Sequence, residues 1–349
     1  MKIAFAGFGN VARAFARIID ERRTELAHRF DLTLSTVAIA TANHGCVSST
    51  DSIDLINAVA CVEHGGNLTR LPQTTPIADT QSLLERSDAD LVFETTPLSI
   101  EAGQPAVTHI RTALKRGIHV ITANKGPIAF AYEELKSLAQ EHEVEFRFEG
   151  TVMDGAPVFN LVESCLPGAR VLGFSGVLNS TTNLILTGME SSQSFEESLE
   201  EAQRLGIAET TAEYDIDGWD AAVKTVALAN VLMCANAHPA DVARQGIAGI
   251  TVEDLKSASE SGMTVRLIAR ARLSETGIRL SVAPEKVSMT SLFGSARGTS
   301  NVLMLETDLM GELAIVENNP GVEQTAYALL SDLLSIHRSF SRSKNKGTS

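Results

Sequence analysis

The sequence predicts an α/β protein, a doubly wound parallel sheet followed by a second, α+β domain. Three observations carry that expectation. The chain opens on a short β run, a glycine turn, a helical stretch and a second β run. Strand–helix alternation then resumes and lasts to about residue 149. Beyond that point long apolar helices mix with strands, and no low-complexity linker separates the two regions.

In order, Lys2–Ala6 is a β-type apolar run, GFGN is the turn, and Val11–His28 has helical periodicity. A strand is expected over Leu32–Ala40, where Thr33, Thr36, Val37 and Ile39 are β-branched. A β-α-β unit of this kind implies parallel strands and a right-handed crossover. Residues 43–79 read as loops with one helix near 52–62. Strands are then expected over 90–94, 118–122 and 144–148, and helices over 102–116 and 129–142. In the second region a strand is expected over 171–178, with helices over 182–189, 195–205 and 217–236. Mixed shorter segments follow, then a hairpin closing at Ala314–Ile315 and a helix over 324–336. The expected domains are 1–149, rejoined by a helical segment at 318–338, and 150–317, with a frayed polar tail at 339–349.

Composition bounds the function. The 349 residues are 44% hydrophobic and 21% charged, an ordinary globular balance. Lys and Arg total 29 against 43 Asp and Glu, a net charge of -14, which disfavours a nucleic-acid partner. No apolar run reaches the roughly 18 residues of a membrane span. Cys46, Cys61, Cys165 and Cys234 are scattered, so a disulfide framework or zinc site is not expected and a cytoplasmic location is.

Gly7-Phe8-Gly9-Asn10-Val11-Ala12 is GxGxxA between a strand and a helix. The first glycine permits the turn, the second lets the backbone approach a pyrophosphate, and the small Ala12 allows close helix–strand packing. This is a Rossmann-type dinucleotide signature. The acid expected at the end of the second strand is missing, because Ala40-Thr41-Ala42-Asn43-His44 stands there. NAD and NADP therefore both remain open.

The second constellation is AETTAEYDIDGWDAAVK, residues 208–224. Asp217 is placed to cap a helix in which Asp220 and Lys224, four residues apart, share one face. The rest of that helix is nearly all apolar. A lysine there needs a partner, and a desolvated ammonium gives up its proton more readily, which suits acid–base work. The plain alternative is that Asp220 only complements the helix dipole and Lys224 reaches solvent. A further lysine, Lys125, follows the strand ending at Thr122, at an edge where doubly wound sheets hold ligands.

Taken together, GFGNVA, ETTP at 94–97, ITANKGP at 121–127, GTVMDGAP at 150–157, GVLNSTTNLIL from Gly176, AQRLGIAE from Ala202, DIDGWDAAVK and QTAYALLSDLL resemble homoserine dehydrogenases, in family order across nearly the whole chain. The resemblance implies NAD(P)-dependent interconversion of L-homoserine and L-aspartate 4-semialdehyde, on the route to threonine and methionine. It implies cofactor contacts at Gly7, Phe8, Gly9, Asn10, Val11, Thr41, Thr95, Thr96, Pro97, Lys125 and Gly321. Lys224 and Lys125 would flank the reacting oxygen, with Lys224 moving the proton and Asp220 orienting the substrate. Glu209 and Asp215 would hold the substrate ammonium, beside Gly176, Asn179 and Thr181. The resemblance further implies a monovalent cation, Na⁺ or K⁺, at Glu149 and the carbonyls of Val152, Asp154 and Ala156, and a homodimer. The family's regulatory C-terminal ACT extension is not expected, so feedback is expected to be weak.

Two departures stand out. Ser180 replaces a family glycine, and Glu317–Pro320 replaces a glycine-rich loop. They motivate one alternative expectation, a dehydrogenase of another small amino-acid alcohol or semialdehyde. A second alternative, a nucleotide-binding regulator without turnover, is disfavoured because Lys125, Lys224 and Asp220 are all present. A phosphorylating semialdehyde dehydrogenase is disfavoured, since no cysteine has the setting of an activated nucleophile.

Overall fold

The computed structural model describes residues 1–99, 102–208 and 212–346, the last seven of these by backbone alone. The chain forms two compact units. The first comprises 1–127, 131–155 and the segment from Gly321 on; the second comprises 128–130 and 156–320.

The first unit opens with β1 (Lys2–Ala6), α1 (Asn10–Glu21), α2 (Arg23–Phe30), β2 (Ser35–Ala40), β3 (Cys46–Ser48) and α3 (Leu55–Glu63). It continues with β4 (Thr75–Ile77), α4 (Thr80–Arg86), β5 (Leu91–Glu94), α5 (Ala106–Lys115), β6 (His119–Thr122), α6 (Lys125–Glu141) and β7 (Phe146–Arg147). Its sheet has the order β4-β3-β2-β1-β5-β6-β7. β2, β1, β5, β6 and β7 run parallel; β3 is antiparallel to β2, and β4, antiparallel to β3, forms the edge. The ladder register aligns Ala40, Ala6, Glu94 and Thr122 in one row, so four strands end together. Beneath that edge Phe5, Phe8, Phe15 and Phe93 pack ring on ring, with Phe15 and Phe93 centroids 4.5 Å apart.

Several elements differ from expectation for physical reasons. The single helix expected over 11–28 divides at Arg22, where exposed Glu21, Arg22 and Arg23 offer the core nothing to bury. The stretch 43–79 holds two short strands, β3 and the edge strand β4, besides α3. Three residues are too few for alternation to show, and Pro76 inside β4 is tolerated only at an edge. α6 starts four residues before the expected Ala129, because Asn124 caps it and Pro127 sits in the first turn, where no N–H is missed.

The second unit contains α7 (Val158–Cys165), β8 (Val171–Val177), α8 (Ser180–Glu190), α9 (Phe195–Arg204), α10 (Glu213–Ile216), α11 (Trp219–Met233), β9 (Ala243–Arg244) and α12 (Val252–Glu260). β10 (Met263–Ser274), β11 (Gly277–Ser288), α13 (Leu292–Ser295), β12 (Asn301–Thr307) and β13 (Gly311–Glu317) follow, in a six-stranded sheet of order β13-β12-β8-β10-β11-β9. The hairpin β10–β11, with strands of twelve residues each, replaces the expected mixed short segments. Arg266 in β10 takes a polar place in the sequence pattern yet is fully buried, donating to Gly294 O (3.1 Å), Ala296 O (3.0 Å) and the Glu190 carboxylate. The hairpin expected to close at Ala314–Ile315 turns earlier, over 308–310, and those residues lie mid-strand in β13. The Thr307 hydroxyl fixes the turn by accepting from Met310 N and donating to Gly311 O, both at 3.0 Å.

The closing helix α14 (Val322–Lys346) belongs to the first unit. It outruns the expected 324–336 and takes in most of the tail expected to fray. No glycine or proline interrupts the sequence from Val322 to Lys346. No helix among the described residues is long and apolar enough to cross a membrane.

Candidate active site

Within the first unit, the residues expected to meet a dinucleotide gather where β2, β1, β5 and β6 end. Gly7 has φ +95°, and a Cβ there would lie 2.7 Å from Thr95 C and 2.8 Å from Thr96 N. Only glycine fits. Around a Cβ at Gly9, by contrast, nothing lies within 4 Å. Gly9 is also the N-cap of α1, with no side-chain cap hydrogen bond and no acid in the first turn. The amide groups of Asn10 and Val11 at that helix start therefore suit a phosphate. Phe8 is buried against Phe5, and Asn10 accepts from Arg13 Nη2 at 2.7 Å.

Thr95 crosses over the turn, its amide donating to Ala6 O (2.9 Å) and its hydroxyl to Gly7 O (2.9 Å). Thr41 ends β2; its hydroxyl donates to Gly45 O (2.8 Å) and accepts from His44 N (2.8 Å). No acid stands beside it. Lys125 is the first residue of α6 and is half-buried; the capping Asn124 reaches back to Thr96 O (3.0 Å) and Pro97 O (3.3 Å). Gly321 lies at the start of α14, where its carbonyl accepts from Gln324 N (3.1 Å) and Thr325 N (3.3 Å).

Sequence reasoning gave Glu94 no role. It is fully buried, and burial pushes its pKa up to about 7, partly opposed by hydrogen bonds from Thr96 and Thr122. A raised carboxyl binds more protons folded than unfolded between its ordinary value near 4.5 and about 7. Its contribution is fully present below that window and lost as pH rises through about 7. Wild-type stability relative to Glu94→Gln should therefore fall by roughly 3 kcal/mol across the window. Melting temperatures of both proteins from pH 5 to 9 check this, and a constant difference would refute it. An acid closing the apolar strand LVFE, followed by two threonines, was the available signal.

Within the second unit the acids and the lysine of the 208–224 segment converge. Asn179 N-caps α8, its Oδ1 accepting from Thr182 N and Thr182 Oγ1, both at 2.8 Å. That fixes the amide so that Nδ2 donates to Asp215 Oδ1 (2.7 Å) and to Asp220 Oδ2 (2.9 Å). Lys224 Nζ donates to Leu178 O (2.7 Å) and lies 3.5 Å from Asp220 Oδ2, both side chains less than one-sixth exposed. The lysine is thus paired inside the protein rather than extended into solvent. Burial raises the Asp215 pKa, and the Asp220 charge raises it further, against hydrogen bonds from Asn179 and Thr181 and the Lys224 charge. Lys224 is paired with Asp220, and its charge also acts on Asp215.

Other expected residues sit differently. Asp217 does not cap α11. It ends α10 in helical geometry (φ -77°, ψ -5°), whereas a cap needs extended backbone, and Gly218 at φ +78° takes that place. α11 stops at Cys234 rather than 236, because Asn230 captures Ala237 N at 2.8 Å and turns the chain back. Gly176 lies within β8, where a Cβ would come 2.8 Å from Val302 O; that close strand approach is what glycine serves there. Ser180 is accommodated as the first residue of α8, its hydroxyl donating to Thr299 O at 2.9 Å. Glu317 is the last residue of β13, paired with Asn301, so the altered loop is shorter than expected and turns at Asn319 (φ +49°). Glu209 lies outside the described residues.

Of the expected cation ligands, Glu149, Val152 and Asp154 belong to the first unit and Ala156 to the second. Glu149 is buried, and its amide donates to the buried Asp332 at 2.9 Å. Asp154 has φ +41° and accepts from Thr325 Oγ1 at 2.7 Å.

Comparison with known proteins identifies the family. Residues 7–149 match the family model for the homoserine dehydrogenase NAD-binding domain, and 157–334 match the model for homoserine dehydrogenase. A homoserine dehydrogenase of Methanocaldococcus jannaschii is 39% identical over 97% of this chain and 99% of its own length. An NAD(+)-dependent homoserine dehydrogenase of Pseudomonas canavaninivorans is 35% identical, covering 98% and 97% of the two chains. The crystal structure of a putative homoserine dehydrogenase from Archaeoglobus fulgidus superposes with a TM-score of 0.86 at 33% identity, over 97% of this chain and 99% of that one. With both family models matched across nearly its full length, the chain belongs to the homoserine dehydrogenase family.

Proposed function

We propose that this protein interconverts L-homoserine and L-aspartate 4-semialdehyde with NAD or NADP. The observation that carries the reading is the Asp215–Asn179–Asp220–Lys224 cluster, two half-buried acids bridged by one amide beside a lysine. An amino-acid alcohol matches it at both ends. Its ammonium is a cation for the acids, with Asp215 receiving it and Glu209 assisting. Its hydroxyl meets Lys224. With one N–H of the ammonium donated to Leu178 O and Asp220 3.5 Å away, Lys224 can still offer an N–H to a substrate oxygen. In oxidation the Lys224 amine takes the hydroxyl proton while Asp220 keeps the oxygen oriented; in reduction Lys224 returns it. Lys125, at the carboxyl edge of the first sheet, supplies positive charge as the oxygen becomes alkoxide-like.

The residues of the glycine turn fit a dinucleotide, since Gly7 cannot be replaced, space is open at Gly9, and the α1 start has no side-chain cap. When bound, the nicotinamide supplies the hydride acceptor or donor. No acid at Thr41 repels a 2′-phosphate, so both nucleotides are taken. Glu149 and Asp154 would hold a monovalent cation through oxygen ligands, offsetting the charge of the acids in that region. Two chains pair through the second unit, whose outer strand β13 leaves Val316 exposed; sedimentation at twice the chain mass checks this. The protein is expected to act in the cytoplasm.

The test compares L-homoserine with 4-hydroxybutanoate, which lacks only the ammonium. Loss of that partner to a half-buried acid should lower kcat/KM by about a hundredfold or more. Equal rates would sink the assignment of the acid pair.

A further inference from the structure

We propose that Glu94 is a positioning residue that sets two loops at once, Thr95–Pro97 over the glycine turn and 123–126 leading into Lys125. The inference rests on the reading of those loops given above. Glu94 ends β5 in the row where Ala6 and Thr122 are its ladder neighbours, and none of its surface is exposed. A carboxylate at such a place persists only if it is well supplied with donors. Three are present.

The two carboxylate oxygens divide them. Oε1 accepts from Thr96 N (3.0 Å) and from the Thr96 hydroxyl, both on the first loop. Oε2 accepts from the Thr122 hydroxyl at 2.8 Å. Thr122 Oγ1 in turn accepts from Asn124 N (2.9 Å), and Asn124 Nδ2 donates back to Thr96 O (3.0 Å). The circuit is closed. Asn124 Oδ1 also accepts from Gly126 N at 2.9 Å, which sets the first turn of α6 and with it Lys125. On the other arm Thr95 is bonded to Ala6 O and Gly7 O, so the position of Thr96 is shared with the glycine turn. A single buried carboxylate thus fixes the spacing between the turn that takes the dinucleotide and the helix that carries Lys125.

The two arms can be separated by substitution. In Glu94→Gln the amide oxygen must stay at the Oε1 place, because Thr96 N–H can only donate. The NH₂ group then faces Thr122, whose oxygen already accepts from Asn124 and whose own proton loses its acceptor. The lysine arm is disturbed and the turn arm is kept. Glu94→Ala removes both.

The experiment measures kcat for L-homoserine oxidation, calorimetric Kd for NADH and NADPH, and melting temperature at one pH for both variants. The expected result for Glu94→Gln is a kcat about ten- to a hundredfold lower with Kd within about threefold of wild type. For Glu94→Ala, Kd should also rise by about tenfold or more. A Glu94→Gln protein with wild-type kcat would overturn the proposal, and so would a kcat that falls and a Kd that rises together in that variant, in step with melting temperature. Should the wild type itself not oxidise L-homoserine, the functional reading fails, and the Kd of Glu94→Ala still decides: wild-type affinity overturns the positioning role.

Discussion

Replacing Lys224 by alanine lowers kcat for L-homoserine oxidation by about 10² to 10⁴, the contribution of a positioned acid–base group. The argument is geometric before it is electrostatic. α11 brings Asp220 and Lys224 onto one face, and the lysine reaches Leu178 O at 2.7 Å beside the acid pair. Alanine leaves nothing there to take the hydroxyl proton. It also removes the charge that opposes the rise of the Asp215 pKa, so that carboxyl should be pushed further up and substrate binding weakened at low pH. Cofactor affinity should hold, since Gly7–Val11, Thr41, Thr95–Pro97 and Lys125 all belong to the other unit. Steady-state kinetics across pH, with calorimetric Kd for NADH, check both parts. Near-normal turnover would remove Lys224 from the mechanism.

Gly7→Ala is expected to raise the cofactor Kd by about a hundredfold or more. The backbone at φ +95° is strained for any residue with a Cβ, at roughly 1–2 kcal/mol, before contacts are considered. The added carbon would then stand 2.7 Å from the Thr95 backbone, which is held at both ends and cannot yield locally. Either the glycine turn or the Thr95–Pro97 loop must move, and each lies where the pyrophosphate approaches. Gly9→Ala is the internal control for strain. Its Cβ meets nothing in the protein, so folding should be unaffected and any loss of affinity reports the ligand itself. Calorimetry and melting curves of the two variants check this; wild-type affinity in Gly7→Ala would contradict it.

Much of this was legible from residue order, and the failures share a cause. The strand–turn–helix signature is local, so β1, the glycine turn and the start of α1 could be read directly. The i, i+4 relation of Asp220 and Lys224 is equally local. What could not be read depends on partners distant in sequence. Arg266 reads as a solvent-facing residue until Glu190 and the carbonyls of 294 and 296 are seen to satisfy it inside the protein. Asp217 has the chemistry of a cap, but the short helix α10 just before it takes away the extended backbone. Glu94 reads as one more strand terminus until Thr122, 28 residues on, is found against it. Asn179 could be named as a site residue, yet its use as both helix cap and bridge between two carboxylates needs the fold.

The most direct test of the central claim is the initial rate of reduced-nicotinamide formation from L-homoserine. It would be run with NAD and NADP in turn, with and without Na⁺ or K⁺, beside the Lys224→Ala variant. The account predicts turnover by the wild type and its near-loss in the variant. A wild-type protein that binds cofactor but leaves L-homoserine unoxidised would contradict it.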